Sequence, residues 1–129
     1  MLARPLIAAI ALAATAGLAH AEDISTHVLN IATGEGGAGV PVTLEIERDG
    51  TWSEVGSATT GEKGRVEGFG VEAEDARYRL TFDMTEYDAF GGEPFFPKIA
   101  ITFDVEDASR HHHVPVLVSP YGYSTYLGN

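Results

Sequence analysis

Apolar and polar residues alternate with a period of two in three separate stretches of this 129-residue chain. Such alternation buries one face of a β-strand and leaves the other face to solvent. The apolar positions of the three stretches are Val40, Val42, Leu44 and Ile46, then Tyr78, Leu80 and Phe82, and finally Ile99, Ile101, Phe103 and Val105. The alternation therefore predicts at least three half-buried strands.

Turn residues divide the rest of the chain into short segments. Asp49-Gly50 predicts a tight turn that makes residues 52–59 the hairpin partner of the first alternating stretch. Further strands are predicted at residues 24–32 and 65–67, and one or two helical turns at residues 71–76. Short strands with at most one short helix predict an all-β fold, an antiparallel β-sandwich of seven to eight strands.

The first 21 residues have the pattern of a secretory signal peptide. One basic residue precedes an apolar run at residues 6–18, and Ala-His-Ala at residues 19–21 forms a small-x-small cleavage site. The apolar run is shorter than the roughly 20 residues that a membrane-spanning helix needs. We therefore predict a cleaved signal peptide at residues 1–21 and a single exported domain at residues 22–129, not bound to membranes after cleavage.

Charge and cysteine content narrow the functional classes. The chain has 19 acidic and 8 basic residues, a formal net charge of −11. Nucleic acid and anionic membrane surfaces are therefore poor partners for it. Because there is no cysteine, disulfide bonds and thiol catalysis are excluded, and stability must come from the core and from assembly.

The C-terminal residues 111–129, HHHVPVLVSPYGYSTYLGN, contain three of the five histidines. Strand parity predicts that the valines at positions 114, 116 and 118 face the core. The outer face would then carry His111, His113, Pro115, Leu117 and Ser119. An apolar outer face is typical of a subunit interface, so Pro115 and Leu117 predict oligomerisation.

The histidine cluster is open to three interpretations on residue types alone. His111, His112 and His113 could be a solvated surface cluster. His111 and His113 share a face and could bind a metal, although two ligands are too few for a zinc site. One imidazole could instead act as a general base, because it titrates near neutral pH. By the same standard His27 would be a hydrogen-bonded structural residue and Arg65 a surface cation.

Several motifs together identify a family. They are STHVLN at residues 25–30, GVPV at 39–42, Gly64-Arg65, FFP at 95–97, HVP at 113–115 and SPYGYSTY at 119–126. In this combination the chain resembles the transthyretin-related 5-hydroxyisourate hydrolases, and its leader is similar to that of their exported, periplasmic branch. The resemblance implies a transthyretin-like sandwich assembled as a homotetramer, with active sites in clefts where two dimers meet.

The resemblance also implies a reaction. Water opens a ring amide bond of 5-hydroxyisourate to give 2-oxo-4-hydroxy-4-carboxy-5-ureidoimidazoline, without a cofactor or metal. The matching site residues are His27, Arg65, His113 and Tyr126. His27 or His113 would be the base, Arg65 would stabilise charge on the amide oxygen or bind the anionic substrate, and Tyr126 would hydrogen-bond to the ring or stack on it.

The chain departs from the family at its last residues. The family usually closes Tyr-Arg-Gly-Ser, whereas this chain closes Tyr126-Leu127-Gly128-Asn129. Leu127 lacks the charge of a guanidinium, and Asn129 keeps hydrogen-bonding capacity. The altered ending motivates a second hypothesis, a non-catalytic periplasmic protein of this fold that binds a small ligand. Retention of both histidines and of Arg65 favours the hydrolase.

Overall fold

The computed structural model describes residues 23–129, so the predicted signal peptide lies outside the described residues. Within residues 23–129 there is no helix long and apolar enough to cross a membrane. The secondary structure of this range is ten strands and one 3-10 helix at Met84–Glu86. The strands are β1 (Ile24–Asn30), β2 (Glu35–Gly36), β3 (Pro41–Arg48), β4 (Thr51–Thr59), β5 (Arg65–Val66), β6 (Arg77–Asp83), β7 (Lys98–Asp104), β8 (His112–His113), β9 (Val116–Ser119) and β10 (Gly122–Thr125).

One of the two sheets, here called the regular sheet, consists of four long antiparallel strands in the order β4-β3-β6-β7. The predicted alternation is confirmed in it, since the apolar positions of β3 and β6 are buried. The predicted turn between β3 and β4 is also confirmed. Asp49 and Gly50 have φ values of 52° and 76°, as a two-residue hairpin turn of the right twist requires.

The other sheet, here called the mixed sheet, has the order β10-β9-β1-β2, with β5 and β8 also paired to β1. Strand β1 runs parallel to β8 and β9 and antiparallel to β2 and β5. The all-β sandwich of two sheets predicted from the sequence is confirmed. Seven of the strands have four residues or more, and the three two-residue strands all pair with β1.

The core lies between the two sheets and includes the valines at 114, 116 and 118, as predicted. The prediction that Pro115 faces outward is wrong, because Pro115 is buried. Proline has no N–H to donate to a ladder, and the chain leaves regular pairing between β8 and β9. Strict alternation therefore fails at this residue, whose carbonyl accepts a 2.7 Å hydrogen bond from Thr125 Oγ1.

The helical turns predicted at residues 71–76 are also absent, since this segment is irregular in the described structure. Its backbone N–H groups bond to side chains instead of to a helical turn. The Ala73 N–H donates to the Asp23 carboxylate at 2.7 Å, and the Glu74 N–H donates to the Tyr78 hydroxyl at 2.9 Å. These side-chain partners, one of which is 50 residues away, outweigh the weak helix propensity of a six-residue segment.

Candidate active site

His27 and Arg65 are brought together by the short pairing of β1 with β5. In that register His27 lies directly opposite Arg65, so their side chains project from the same, outer face of the mixed sheet. Nε2 of His27 lies 2.9 Å from the Lys63 carbonyl oxygen. A carbonyl only accepts, so Nε2 carries the proton in this bond. Nδ1 is then the nitrogen of His27 left for another partner.

The turn that delivers Arg65 depends on Gly64. Gly64 has a φ of 79°, and a Cβ there would lie 2.3 Å from the Val28 carbonyl oxygen. Its own carbonyl accepts a 2.8 Å hydrogen bond from the Val28 N–H. Only glycine combines this conformation with such close packing, so the glycine turn holds β5 against β1 and sets the position of Arg65.

His113 reaches the same face from β8, where it pairs with Ser25 of β1. Ser25 Oγ lies 2.7 Å from His113 Nδ1 and 2.8 Å from His111 Nε2. The serine is only 5% exposed. Its hydroxyl therefore joins the two imidazoles that parity predicted to share a face.

The electrostatic surroundings favour the neutral form of His113. Burial lowers the pKa of His113 below its ordinary value of 6.5, and the Arg65 cation, followed by coulombic interactions with His111 and His27, lowers it further. The carboxylate of Glu67 acts in the opposite direction and raises the pKa. Desolvation and nearby cations both disfavour imidazolium, so at neutral pH His113 is an uncharged acceptor or base.

A cavity of about 470 Å³ opens between these strands and the C-terminal residues. Side chains that line it include Ser25, Arg65, His111, His113, Tyr126 and Asn129. Among residues 23–129 no carboxylate forms an ion pair with the Arg65 guanidinium. The Glu67 carboxylate also lines the cavity but forms no ion pair with Arg65. The cavity thus presents an arginine without an ion-pair partner beside a neutral imidazole, which suits a planar, anionic ligand.

Three of the four residues predicted for the site, Arg65, His113 and Tyr126, line this one cavity. His27 is not among its lining residues but lies directly opposite Arg65 in the sheet. The sequence reasoning missed Ser25. Its position two residues before His27 in a strand, and so on the same face, was the signal that would have found it.

The C-terminal residues close the cavity by pairing with His113. The Gly128 N–H donates to the His113 carbonyl at 2.7 Å, and a Cβ at Gly128 would lie 2.7 Å from Cδ2 of the His113 ring. The residue before it, Leu127, is 73% exposed and lines a separate groove of about 640 Å³. Asn129 lines both the cavity and this groove, so only the second of the two departures from the family pattern lies at the cavity.

The histidine cluster does not form a metal centre in this geometry. Within the described part of the chain no group of three or more histidine, aspartate or glutamate side chains is arranged to hold a metal ion. His112 turns away from its neighbours, and its Nδ1 donates to the Arg110 carbonyl at 2.9 Å. The cluster is thus divided between a cavity pair, His111 and His113, and a residue outside the cavity.

Named proteins are similar to this chain in sequence. The profile of the HIUase/Transthyretin family matches residues 24–128. The 5-hydroxyisourate hydrolase of Salmonella typhi is 36% identical over 127 residues, covering 96% of this chain and 91% of that enzyme. The 5-hydroxyisourate hydrolase of Deinococcus radiodurans is 35% identical over 113 residues, covering 82% and 95% of the two chains.

Solved structures share the fold. Klebsiella pneumoniae 5-hydroxyisourate hydrolase superposes with a TM-score of 0.69 at 35% identity, covering 82% of this chain and 98% of that one. Sea bream transthyretin, solved in complex with thyroxine, gives a TM-score of 0.75 at 22% identity over 82% and 94% of the chains. The second likeness concerns the fold alone. The match across residues 24–128 together with the shared sandwich shows that this chain belongs to the HIUase/Transthyretin family.

Proposed function

We propose that this protein is an enzyme that hydrolyses 5-hydroxyisourate to 2-oxo-4-hydroxy-4-carboxy-5-ureidoimidazoline, a step of urate degradation. The observation that carries the proposal is the cavity in which the unpaired Arg65 guanidinium lies beside the neutral His113 imidazole. Relatives named 5-hydroxyisourate hydrolase at 35–36% identity support the choice of substrate. A protein that only carried a ligand would have no need of a base at this position.

His113 is the better placed of the two histidines to act as the base. Its Nδ1 is held by Ser25, so Nε2 is the nitrogen that remains for a water molecule. In the reaction the water oxygen attacks the ring carbonyl carbon while Nε2 accepts the water proton. The C–N bond then breaks as Nε2 passes this proton to the leaving ring nitrogen, which returns His113 to its neutral form.

Arg65, His27 and Tyr126 supply binding and charge stabilisation. The guanidinium of Arg65 donates to the substrate anion and to the amide oxygen that becomes negative in the tetrahedral intermediate. His27, opposite Arg65, has Nδ1 available as an acceptor for a ring N–H of the substrate. Tyr126 lies at the cavity edge, where its ring covers the flat substrate.

The test is the ultraviolet decay of freshly generated 5-hydroxyisourate with purified protein. We expect strong acceleration over buffer, and a fall of about 100-fold or more in His113→Ala, as expected for loss of a general base. His112→Ala is the matched control because its imidazole bonds to the Arg110 carbonyl outside the cavity. No acceleration by the folded wild-type protein would contradict the proposal, as would equal loss in the two variants.

We infer in addition that the protein assembles as a homotetramer. Leu29 and Leu117 are paired across β1 and β9 and are only partly covered on the outer face of the mixed sheet, and Ile31 is 54% exposed beside them. Pro115 is buried and is therefore not part of this outer apolar face. Light scattering should give four times the chain mass, and Leu117→Glu should lower it. A monomeric wild-type protein would contradict the inference.

A periplasmic location is proposed from the leader at residues 1–21. Cell fractionation and the intact mass of the exported protein provide the test. We expect the protein in the periplasmic fraction with a chain that begins at Glu22. Recovery of the full-length chain from the cytoplasm would contradict this location.

A further inference from the structure

We propose that Ser25 and His111 together act as a tautomer lock on His113, with His113 Nδ1–H donating to Ser25 Oγ and the Ser25 hydroxyl donating to His111 Nε2. Ser25 is then a positioning residue, and His111 is the acceptor that fixes the direction of the chain. This inference rests on the proposed function, since it assigns the protonation state that His113 needs as a base.

The hydroxyl of Ser25 contacts two imidazoles. Ser25 Oγ lies 2.7 Å from His113 Nδ1 and 2.8 Å from His111 Nε2. A hydroxyl has one proton, so it can donate to only one of two neutral rings. Within residues 23–129 these two nitrogens are the only hydrogen-bond partners of the Ser25 hydroxyl, and the serine is nearly buried. The hydroxyl proton therefore goes to one ring, and the other ring donates to Oγ. The two rings therefore cannot choose their tautomers independently, because the tautomer of one fixes that of the other.

The two possible directions of the hydrogen bond between Ser25 and His113 have opposite consequences for His113. If His113 Nδ1–H donates to Ser25, Nε2 carries a lone pair and can accept a proton from water. If Ser25 donates to His113 Nδ1, Nε2 carries the proton and the ring cannot act as that base. Only the first direction survives the reaction unchanged, because a protonated His113 still has a donor at Nδ1.

The surroundings of His113 favour the first direction. Arg65, Glu67 and His113 line the same cavity, and the Arg65 cation acts on His113 more strongly than the opposing Glu67 carboxylate does. A cation repels the positive end of an N–H dipole. With Nδ1 engaged by Ser25, this repulsion favours the lone pair on Nε2. Ser25 is 5% exposed, and its carbonyl accepts a 2.9 Å hydrogen bond from the Val114 N–H. The strand pairing thus holds the hydroxyl in place between the two rings, largely shielded from competing water.

The decisive variant is His111→Phe, which removes the acceptor and keeps the hydroxyl. The hydroxyl then turns to His113 Nδ1 and locks the ring in the unproductive tautomer, which should lower kcat by about tenfold. His111→Gln is the matched control because its amide oxygen accepts a hydrogen bond, and it should keep kcat within about threefold. In a Ser25→Ala background, His111→Phe should have no further effect, because no hydroxyl remains to lock the ring.

A spectroscopic readout separates this proposal from the proposed function. Long-range proton–nitrogen correlation spectra of the substrate-free protein report which ring nitrogen of His113 carries the proton, with His113→Asn providing the assignment. We expect Nδ1–H in the wild type and in His111→Gln, and Nε2–H in His111→Phe. Nε2–H in the wild type, or an unchanged tautomer in His111→Phe, would overturn the proposal. The expected tautomers in a protein that does not hydrolyse 5-hydroxyisourate would support the lock and contradict the proposed function.

Discussion

The two sheets of the sandwich treat their outer faces differently. On the regular sheet the arginines have carboxylate partners. Arg79 forms two 3.0 Å hydrogen bonds with Glu45 and lies 4.2 Å from the Trp52 ring centre. Arg77 similarly pairs with Asp104. On the mixed sheet Arg65 has no ion-pair partner within residues 23–129, and it lies beside histidines. The arginines of the regular sheet are thus neutralised by carboxylates, whereas Arg65 of the mixed sheet is available to bind a ligand.

Backbone regularity follows the same division. The regular sheet is built from four strands of seven to nine residues. Long antiparallel pairings connect these strands. In the mixed sheet, β1 pairs with three two-residue strands. Two of them, β5 and β8, bring Arg65 and His113 from distant parts of the sequence to one face. A two-residue strand contributes few backbone hydrogen bonds. Short strands nevertheless allow several separate chain segments to reach β1, and a site built from distant residues requires this.

The largest contrast is expected between the arginines of the two sheets. Arg65→Gln should lower kcat/KM by roughly 100-fold to 1,000-fold, as loss of one oxyanion donor does, with little change in the unfolding midpoint. Arg79→Gln should leave kcat/KM unchanged and cost about 1 kcal/mol of stability or less. Steady-state kinetics and urea unfolding of both variants provide the measurement. Similar kinetic losses in the two would break the division between the sheets.

A second contrast concerns two glycines with similar backbone angles, Gly64 in the mixed sheet and Gly50 in the regular hairpin. Both have positive φ, 79° and 76°, but a Cβ at Gly50 meets nothing within 4 Å. Gly50→Ala should therefore cost about 1 kcal/mol from backbone strain alone. Gly64→Ala should cost on the order of 3 kcal/mol, because strain and overpacking combine. Equal unfolding free energies would show that the close packing at Gly64 is unimportant.

The sheets should also differ in their response to acid. The pKa of His113 is lower in the folded protein than its ordinary value of 6.5, so the unfolded chain binds this proton more readily. Its contribution to stability is present above pH 6.5 and is lost as the pH falls from there through the lowered pKa. In the regular sheet, Asp83 and Asp104 have pKa values lowered from 3.8, so their contributions are lost only below that pH.

Unfolding midpoints as a function of pH, compared between wild type and His113→Asn, measure the difference. We expect the loss of stability just below pH 6.5 to be smaller in His113→Asn, while both proteins share the decline below pH 4. The acid limb of kcat/KM should likewise lie below 6.5, because His113 stays neutral there. An acid limb well above 6.5 would contradict the assignment of His113 as the base.

The smallest effect is expected from Leu127→Arg, which restores the ending typical of the family at one position. Leu127 is exposed and lines the adjoining groove, which shares His111 and Tyr126 with the cavity but does not include Arg65 or His113. The substitution should therefore change kcat/KM by less than about threefold, as surface changes usually do. Asn129→Ala, at the cavity, is the comparison variant. A larger gain from Leu127→Arg than loss from Asn129→Ala would extend the functional surface beyond the cavity.

The fold was largely predictable because period-two alternation reports burial directly. It identified β3, β6 and β7, and parity placed the three tail valines in the core. Local patterns failed where a proline or side-chain hydrogen bonds override them. Pro115 interrupts the ladder and is buried, and two N–H groups of residues 71–76 bond to the Asp23 and Tyr78 side chains in a segment without helical turns.

The site was predictable in its parts but not in its connections. Family motifs pointed to Arg65, His113 and Tyr126, which the structure places on one cavity, and their chemical roles stay predictions. The contacts of Ser25 with His111 and His113 span 86 and 88 residues. No local pattern reports such a contact, since it depends on the parallel register of β1 and β8. The lack of an ion-pair partner for Arg65 within residues 23–129 likewise depends on which side chains the fold brings to this face.

The hydrogen bond from His27 to Lys63 has a consequence for how this site tolerates sequence drift. The acceptor is the main-chain carbonyl of residue 63, a group that every amino acid supplies, so the lysine side chain is dispensable for orienting the imidazole. The neighbouring Gly64, by contrast, admits no side chain. In a saturation library at the two adjacent positions, nearly all residues at position 63 should therefore give active protein. At position 64 only glycine should do so.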